Sequence, residues 1–362
     1  MKTIKLTRLF KTNPLLKIRH LFNHPKFILN STLIALLAGN STLHAEQTIK
    51  MATIAPGSSA YQVMTTMASM VNRASPDLTI TVDATGTATK HQLDLAKGKI
   101  DLAMSAPQVH HFLRTGTKMY QKIENAPQLA DNIGLLFWFP YGAAHVITYA
   151  DSGIKTLADL KGKKVFLGPP GGGAWATSKA WVEGITGYQP GEDYENVRAS
   201  WASALQGFQD RQFDVYISGG IPPFPQVEQL ALTSKLRLIG LTKTEADAAT
   251  DAMLAGVNRL GRYLDKIPSD AYENVLTGSN GNSDLYTAGA SVGVVARMNL
   301  DADTVYRITK TFWENLPQEA KTAPYLTRIR LEEALSADNI KLHPGALKYY
   351  REIGLSIPEK ML

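Results

Sequence analysis

The sequence predicts an α/β protein of two lobes, each built on a mostly parallel sheet flanked by helices, with a ligand cleft between the lobes. Three observations support this prediction. Short β-like runs alternate with helical runs along the chain, which is typical of parallel sheets covered by helices. The alternation occurs in two series, over residues 46–144 and 146–285. The chain of 362 residues is also long enough for two domains of roughly 150 residues each.

The first lobe begins with the run TIKMATIA (48–55), which predicts a strand. A turn and an amphipathic helix follow, because Val63, Met67 and Met70 recur at helical spacing. The alternating run LTITVDAT predicts the second strand and IDLAMSA the third, with a helix over TKHQLDLAKGK between them. These elements form the first βα series.

The second lobe follows the strongly apolar run IGLLFWFPYGAAHVITYA, which is predicted to cross between the lobes. GKKVFLG opens the second βα series, and WASALQGFQDRQ, FDVYISGG and LRLIGLT continue it. The chain then returns through YTAGASVGVVARM, and its helical last part is predicted to pack back on the first lobe. The predicted boundaries are 46–144 for lobe 1, completed by 286–362, and 145–285 for lobe 2.

The formal net charge of +6 resides in the first 45 residues. They contain seven Lys or Arg residues and no Asp or Glu. Removing those seven leaves 31 basic residues against 32 acidic ones, a net charge of −1. The rest of the chain therefore lacks the positive charge of a nucleic-acid-binding protein, and no nucleic-acid partner is predicted.

Residues 1–45 have the parts of an export signal. A basic region precedes the apolar stretch FILNSTLIALLAG, and STLHA predicts cleavage near Ala45. The apolar stretch is only about a dozen residues long, whereas a membrane-spanning helix needs about 20; an uncleaved amphipathic anchor is the alternative. The chain has no Cys to carry a lipid or form a disulfide. The mature protein is therefore predicted to be free in the periplasm, and a monomer is the expected state.

Small, hydroxylic and glycine-rich residues follow the predicted strands, where open α/β sheets bind their ligands. Backbone N–H groups at the helix starts there stabilise an anion by about 0.3–1 kcal/mol per helix. Because no acid–base pair accompanies them, they predict a carboxylate-binding cleft without catalytic residues; ordinary turns are the alternative. The predicted ligand-binding residues are Gly57, Ser58, Ser59, Tyr61, Thr85, Gly86, Thr87, Ser105, Gln108, His145, Gly171, Gly172, Gly173, Ala174, Trp175, Thr177, Ser218, Gly219 and Gly220.

Three of these residues have a second interpretation. His145 is either a hydrogen-bond donor in the cleft or a structural residue at the hinge. Tyr61 either reaches the solute with its hydroxyl or packs in the core. Trp175 follows the glycines at the start of a helix, where it either walls the ligand or packs against the lobe.

Several stretches together resemble the periplasmic solute receptors of TRAP transporters, of the TAXI family. They are GSSAY, ATGTATKHQLDLAKGKIDLAMS, HVITYADSGIKTLADLKGKKVFLGPPGGG, ALQGFQDRQFDVYISGGIP, VYRITKTFWEN and HPGALKYYREIG. The resemblance covers nearly the whole mature chain. It implies a type II periplasmic binding protein fold that closes on a small organic anion, a dicarboxylate or an amino acid. It also implies delivery of that solute to TRAP membrane subunits driven by a sodium gradient.

The sequence departs from this family at three turns. It has Thr85-Gly86-Thr87-Ala88, Gly171-Gly172-Gly173-Ala174 and Ser105-Ala106-Pro107-Gln108 where the family usually has Thr-Gly-Gly-Ser, Gly-Ser-Gly-Thr and Gln-Ser-Asp-like segments. Two side-chain hydroxyls are missing, and Trp175 is added beside the cleft. Despite these changes the resemblance still implies the fold and the transport role, but it does not identify the solute.

Two enzymatic alternatives rest on short motifs. The loop Gly171–Ala176 fits the dinucleotide-binding pattern, with Glu192 and Asp193 about 20 residues further on. The export signal disfavours that oxidoreductase, since reduced nicotinamides are cytoplasmic. The motif GASVG places Ser291 in a hydrolase-like elbow. The β-branched residues after it instead place Ser291 within a linking strand.

No metal or cofactor is predicted. His110 and His111 are adjacent, so neither a helix nor a strand would aim both at one ion. The chain has no Cys, and no pair of acids lies at ligand spacing to complete a metal site with these histidines. The predicted partners are thus the solute and the TRAP membrane subunits.

Overall fold

The structure is a computed structural model that describes residues 47–256 and 261–362. The predicted export signal and its cleavage near Ala45 lie outside the described residues. All the described residues belong to one compact unit, Ala45–Leu362.

The first lobe alternates strands and helices in the predicted order. β1 ends three residues before the predicted strand does, and the chain turns at Thr53–Gly57 toward the first helix. The elements are β1 (Gln47–Ala52), α1 (Ser59–Ala74), β2 (Leu78–Asp83), α2 (Ala88–Ala96), β3 (Leu102–Ser105), α3 (Pro107–Thr115) and α4 (Ala126–Ala130). β1 pairs in parallel with both β2 and β3.

The predicted crossing segment is a single buried strand, β4 (Ile133–Tyr149). Its later residues, 143–149, pair with two strands of the second lobe, β7 (Val215–Gly220) and β8 (Leu236–Ile239). Gly142 lies where β4 begins to pair with strands of the second lobe. Its φ is +99°, and its surroundings leave no room for a side chain. A Cβ there would lie 2.2 Å from the carbonyl oxygen of Gly220. The backbone must therefore bend at a glycine where the chain enters the second lobe.

The second lobe continues the alternation with shorter elements. Its parallel strands are followed by helices, as predicted, and it adds three strands that were not predicted from the sequence, β6, β9 and β10. The elements not yet given are β5 (Lys164–Phe166), α5 (Gly173–Thr186), β6 (Glu195–Asn196), α6 (Trp201–Gln209), α7 (Pro225–Ala231), α8 (Lys243–Ala248), α9 (Asp251–Leu254), β9 (Arg262–Ile267) and β10 (Val275–Thr277).

The chain returns to the first lobe along β11 (Leu285–Arg297). Residues 285–290 pair with β9, and residues 291–297 pair with the first half of β4. Two helices follow, α10 (Ala302–Glu319) and α11 (Pro344–Glu352), and both pack in the core of the first lobe. The C-terminal helices thus pack where the sequence predicts the returning chain to lie.

β4 and β11 join the strands into one sheet of mixed direction, in the order β2-β1-β3-β11-β4-β7-β5-β6, with β8, β9 and β10 on branches. The late strand β11 lies between β3 and β4 and is antiparallel to both. This insertion gives the type II periplasmic binding protein arrangement, so the predicted fold class is confirmed. The sheet is continuous between the lobes because β4 and β11 each run through both of them.

The buried residues separate where these two strands change lobes. Tyr141 and Val292 belong to the core cluster of the first lobe, whereas Ala143, Ala144 and Ala288 belong to the two clusters that cover opposite faces of the second. The hinge therefore lies close to residue 142 on β4 and residue 290 on β11. Both strands are paired on either side of it.

Candidate functional site

A cavity of about 90 Å³, called here the main cavity, lies between the lobes beside the hinge strands. Apolar side chains make up most of its wall, among them Ile54, Met104 and Trp201. A smaller side pocket of about 20 Å³ shares Trp201 and Ser218 with it. Concave, mostly apolar sites with a few polar groups are typical of small-molecule binding.

The main cavity brings together predicted site residues from both lobes. Thr87 and Gln108 come from the first lobe, at the starts of α2 and α3. The others come from the start of α5 and the end of β7 in the second lobe. The predicted residues in the wall are Thr87, Gln108, Gly172, Gly173, Ala174, Thr177, Ser218 and Gly219.

The remaining predicted residues are not in this wall. Ser58 lines only the side pocket, and its hydroxyl caps α1 by accepting from the N–H of Tyr61 at 3.1 Å. The buried hydroxyl of Ser59 accepts from the N–H of Ile221 at 2.9 Å, which ties the two lobes together. The others outside the wall are Gly57, Tyr61, Thr85, Gly86, Ser105, His145, Gly171, Trp175 and Gly220.

Local hydrogen bonds account for two of these residues. Thr85 is exposed, and both its N–H and its hydroxyl donate to Asp83, at 3.0 Å and 2.7 Å. Ser105 is fully buried and donates to Gln92, whose amide in turn contacts His110 at 3.1 Å. Trp175 is half-buried and packs against the core of the second lobe. These side chains stabilise the turns and the core around the cleft.

Two helices begin at the main cavity without a side-chain cap. Gly172 is the N-cap of α5 and Ala106 that of α3, and neither provides a side-chain acceptor. By contrast, Ser58, Thr87 and Ser200 cap α1, α2 and α6. The amides of an uncapped first turn can donate to a ligand, and the helix dipole favours an anion there. The two lobes thus each contribute one helix start to the cavity.

Gln108 bridges the lobes across this cavity. It is 4% exposed, and its Nε2 donates to the carbonyl oxygen of Gly173 at 3.1 Å and to the hydroxyl of Thr177 at 3.2 Å. The hydroxyl of Thr177 already donates to Gly173 at 3.0 Å. Since a carbonyl oxygen can only accept, this network fixes which end of the Gln108 amide carries the nitrogen.

The other end of the same amide has no partner. Oε1 of Gln108 is buried and accepts no hydrogen bond from any described residue. A buried acceptor that stays unpaired costs about 1–3 kcal/mol. A donor on a bound solute would remove that cost, so the wall of the cavity selects for a solute that carries an N–H or O–H group.

Arg262 is the charged side chain that sequence reasoning missed. Of the residues in the cavity wall, it alone carries a formal charge. It lies at the start of β9, opposite Ala290 of β11, and is half-buried. The segment RYLDKI shows neither a continuous apolar run nor strict alternation, so nothing in its pattern indicated a strand at the cleft.

His145 lies in the interior of the second lobe. Its Nδ1 donates to the carbonyl oxygen of Ala143 at 3.0 Å, and its Nε2 accepts from the hydroxyl of Tyr272 at 2.7 Å. The oxygen of Tyr272 accepts in turn from the N–H of Phe224 at 2.7 Å. Both ring nitrogens are therefore engaged away from the main cavity, and burial lowers the pKa of His145 to about 3.

Acid is expected to destabilise the protein through its buried histidines. Burial lowers the pKa of His110 and His145 to about 3 and that of His343 to about 4, below the 6.5 of the unfolded chain. Below pH 6.5 the unfolded state binds protons that the folded state does not, so stability present at neutral pH is lost as the pH falls. Each histidine should remove about 2 kcal/mol between pH 7.5 and pH 5.

Urea unfolding at the two pH values measures this loss. The variant His145→Asn should lose about 2 kcal/mol less than wild type over this interval. The control Gln128→Asn alters an exposed residue that does not titrate and should keep the wild-type pH dependence. An equal pH dependence in wild type and His145→Asn would contradict the assignment of a neutral, buried His145.

Neither enzymatic alternative has its expected geometry. Ser291 lies inside β11, paired with Pro140 and not at a turn between a strand and a helix, which confirms the predicted linking strand. Asp301 and His343 follow Ser291 in the order of a hydrolase acid and base. They are instead N-caps of α10 and α11, where they accept from the N–H groups of the first turns. Ser291 makes no side-chain hydrogen bond to a histidine among the described residues.

Neither the position of Asp193 nor the volume of the main cavity fits the dinucleotide alternative. The carboxylate of Asp193 accepts from the N–H of Gln189 at 2.9 Å and pairs with Lys161 at 3.8 Å, within the loop after α5. The main cavity of about 90 Å³ is smaller than an engineered cavity of about 150 Å³ that holds benzene. A dinucleotide therefore does not fit beside the glycines.

Residues 47–256 and 261–362 contain no group of three or more His, Cys, Asp or Glu side chains that could hold a metal ion. No helix in that part of the chain combines the length and apolar character needed to cross a membrane.

Residues 51–354 match the model of the NMT1-like family. The chain belongs to the NMT1-like family. The match spans both lobes and the C-terminal helices, and the family lies within the periplasmic binding superfamily. The NMT1-like assignment agrees with the predicted superfamily, while the TAXI subfamily remains a prediction.

Solved structures similar to this NMT1-like protein include three solute-binding proteins. The alkanesulfonate-binding protein SsuA from Xanthomonas axonopodis pv. citri, bound to MOPS, is 16% identical over 78% of this chain and 79% of its own, with a TM-score of 0.46. DctP7, an extracytoplasmic solute receptor of Bordetella pertussis binding pyroglutamic acid, is 13% identical over 86% and 87%, with a TM-score of 0.44. A TRAP periplasmic solute-binding protein from Ralstonia eutropha H16, with bound (S)-2-acetolactate, is 12% identical over 86% of both chains, with a TM-score of 0.44. At such low identity neither a solute nor a partner carries over.

Proposed function

We propose that this protein is the extracytoplasmic solute receptor of a TRAP-type transporter of the TAXI family, and that it has no catalytic activity. It binds a small organic anion in the main cavity and delivers it, unchanged, to the membrane subunits. It acts as a monomer in the periplasm after its signal peptide is removed. The family match supports a receptor of this superfamily, and the resemblance in sequence supports the transporter type.

The observation that carries the proposal is the convergence of positive groups from both lobes on one apolar cavity. The uncapped starts of α3 and α5 contribute backbone donors, and Arg262 contributes a charge. In a wall that is otherwise mostly apolar, a single anionic group of a solute would be strongly favoured at this place. None of the described residues in the wall offers a nucleophile paired with a base.

The same wall favours one of the two predicted solute classes. Only one charged side chain lines the described part of the cavity, so a second carboxylate of a dicarboxylate would be buried without a cation. The unpaired Oε1 of Gln108 instead requires a hydrogen-bond donor. An amino-acid-like solute with one carboxylate and an uncharged N–H or O–H donor fits this wall, because it supplies the carboxylate for Arg262 and the donor for Gln108 without a second buried charge.

Closure of the lobes explains how the solute is held. Gln108 of the first lobe contacts Gly173 and Thr177 of the second only when the lobes meet, and Ser59 contacts Ile221 in the same way. A solute that touches both helix starts favours this closed arrangement through its differential contacts. Micromolar affinity requires about 8 kcal/mol, which several charge-assisted hydrogen bonds and apolar burial can supply.

A thermal-shift screen of the mature protein tests the function. Small hydroxy acids and amino-acid derivatives with an uncharged nitrogen are expected to raise the melting temperature. At a ligand concentration of a hundred times Kd, the free energy of unfolding should rise by about 2.7 kcal/mol. Matched dicarboxylates, nicotinamide nucleotides and adenine nucleotides in the same screen should have little effect. Calorimetry should then show one solute per chain, recovered unchanged after incubation.

Three results would contradict the proposal. Stabilisation by nicotinamide nucleotides alone would favour the dinucleotide alternative. Turnover of a chromogenic ester that is lost in Ser291→Ala would favour the hydrolase. Consumption of the bound solute by the purified protein would exclude a receptor without catalysis.

A further inference from the structure

A second and larger cavity lies behind the hinge. It measures about 750 Å³ and is called here the hinge cavity. Phe139, Pro140 and Ser291 of the two hinge strands form one wall. Arg262 and Ser291 line both cavities, so the hinge cavity adjoins the main one from the back.

The other walls of the hinge cavity come from different lobes. Arg262 and Tyr263 belong to β9, which pairs with the second-lobe half of β11. The segment 327–336 belongs to the first lobe, because Leu326, Ile329 and Ala334 are in its core. A change in the angle between the lobes must therefore alter the width of this cavity.

An ion pair crosses from one lobe to the other at this place. Nη2 of Arg328, in the first lobe, lies 3.3 Å from Oδ1 of Asp265, in the second. Asp265 is 8% exposed, and its Oδ2 is buried without a partner. The pair is stretched relative to the 2.7–2.9 Å that is usual for charge-assisted hydrogen bonds.

The lining has spare capacity to bind an anion. Arg328 uses one of its five N–H groups on Asp265, and its side chain is 43% exposed. Arg330 pairs with Glu333 and is 64% exposed. Burial raises the pKa of Tyr263, so its phenol remains protonated and able to donate. Thr327 and Ser336 add hydroxyl groups to the wall.

We propose that the hinge cavity is a second binding site, for a small anion bearing carboxylate or phosphate groups, and that its occupation stabilises the closed lobes. The anion would be held by the guanidinium groups of Arg328 and Arg330 on the first lobe and by the phenol of Tyr263 on the second. Its volume lies within the 300–1,000 Å³ that is typical of metabolite sites. A ligand held by these three side chains would connect the two lobes at the separation that they have in this structure.

The sign of the coupling follows from the conformation. Across the main cavity the lobes already touch, through Gln108 and Ser59, so the hinge cavity has here the width of the closed form. A ligand that binds the hinge cavity more tightly in the closed form than in the open form must favour closure of the lobes. By reciprocity, it must also raise the affinity of the main cavity for its solute. That coupling rests on the proposed function, whereas binding in the hinge cavity does not.

Citrate is a suitable probe because it is larger than benzene and too large for the main cavity of about 90 Å³. We expect calorimetry to show one citrate per chain, and the double variant Arg328→Gln/Arg330→Gln to weaken its binding at least tenfold. The control Arg114→Gln removes an arginine from a comparably exposed ion pair, with Asp131, and should bind citrate as wild type does. Gly172→Phe, which adds a large side chain to the wall of the main cavity, should also retain citrate binding.

A distance measurement tests the coupling to closure. The native chain has no Cys, so spin labels can be placed at Lys97→Cys in the first lobe and Glu192→Cys in the second. Citrate should shift the distances toward the closed form, and the double arginine variant should abolish the shift. Citrate binding that is unaffected by Arg328→Gln/Arg330→Gln, or that is lost in Gly172→Phe, would overturn the site. Binding without any change of distance would overturn its effect on closure.

Discussion

Replacing Arg262 by glutamine is expected to lower the affinity for the solute found in the screen between about tenfold and 150-fold. A hydrogen bond to a charged group contributes about 1.5–3 kcal/mol, which corresponds to that range. Arg262 is the one charged side chain in the described wall of the main cavity, so no neighbour there can replace it. Calorimetry with the purified variant measures the change.

The variant Arg262→Lys separates charge from geometry. Lysine keeps the positive charge but lacks the planar fork that binds a carboxylate in a bidentate manner, so an intermediate affinity is expected. Arg198→Gln is the matched control, since Arg198 is exposed on the second lobe and outside both cavities. Wild-type affinity in Arg262→Gln would show that the anionic group lies elsewhere, on the helix starts alone.

The fold was predictable because its strongest signals are local. The 17-residue strand β4 is mostly apolar, and its length and composition indicated a segment that crosses between the lobes. The glycines at 171–173 follow a short strand and precede a helix, so their position at the cleft followed from the rule for open α/β sheets. Both features can be identified within about 20 residues of sequence.

The site was less predictable because proximity to a cleft depends on contacts that are distant in sequence. The loop of Thr85 contains small residues and a glycine, as the start of α5 does, but Asp83 satisfies its donors locally. Ser59 meets Ile221, 162 residues away, and this contact gives it a partner other than a solute. Arg262 reaches the cavity through β9, a strand whose pairing with β11 has no local sequence signal.

Replacing Gly173 by leucine is expected to keep the lobes apart and to lower solute affinity more than tenfold. A Cβ at this position would lie 3.0 Å from Cγ2 of Val109 and 3.6 Å from Nε2 of Gln108, both on the opposite lobe. The first methyl group already touches α3, and the rest of a leucine side chain would need space that only opening can provide. Because opening breaks the Gln108 contacts with Gly173 and Thr177, the closed form loses hydrogen bonds as well as fit.

The same substitution should leave the folding of the separate lobes intact. Gly173 is the first residue of α5, and its φ is not among the positive ones, so leucine is compatible with the backbone and favours the helix by up to about 1 kcal/mol. The melting temperature without solute should therefore hold, while small-angle scattering shows a larger radius of gyration than wild type. Gly173→Ala should be intermediate, since its single methyl group needs a shift of only a few tenths of an ångström. Wild-type affinity in Gly173→Leu would contradict closure at this contact, and a large fall in melting temperature would instead indicate damage to the second lobe.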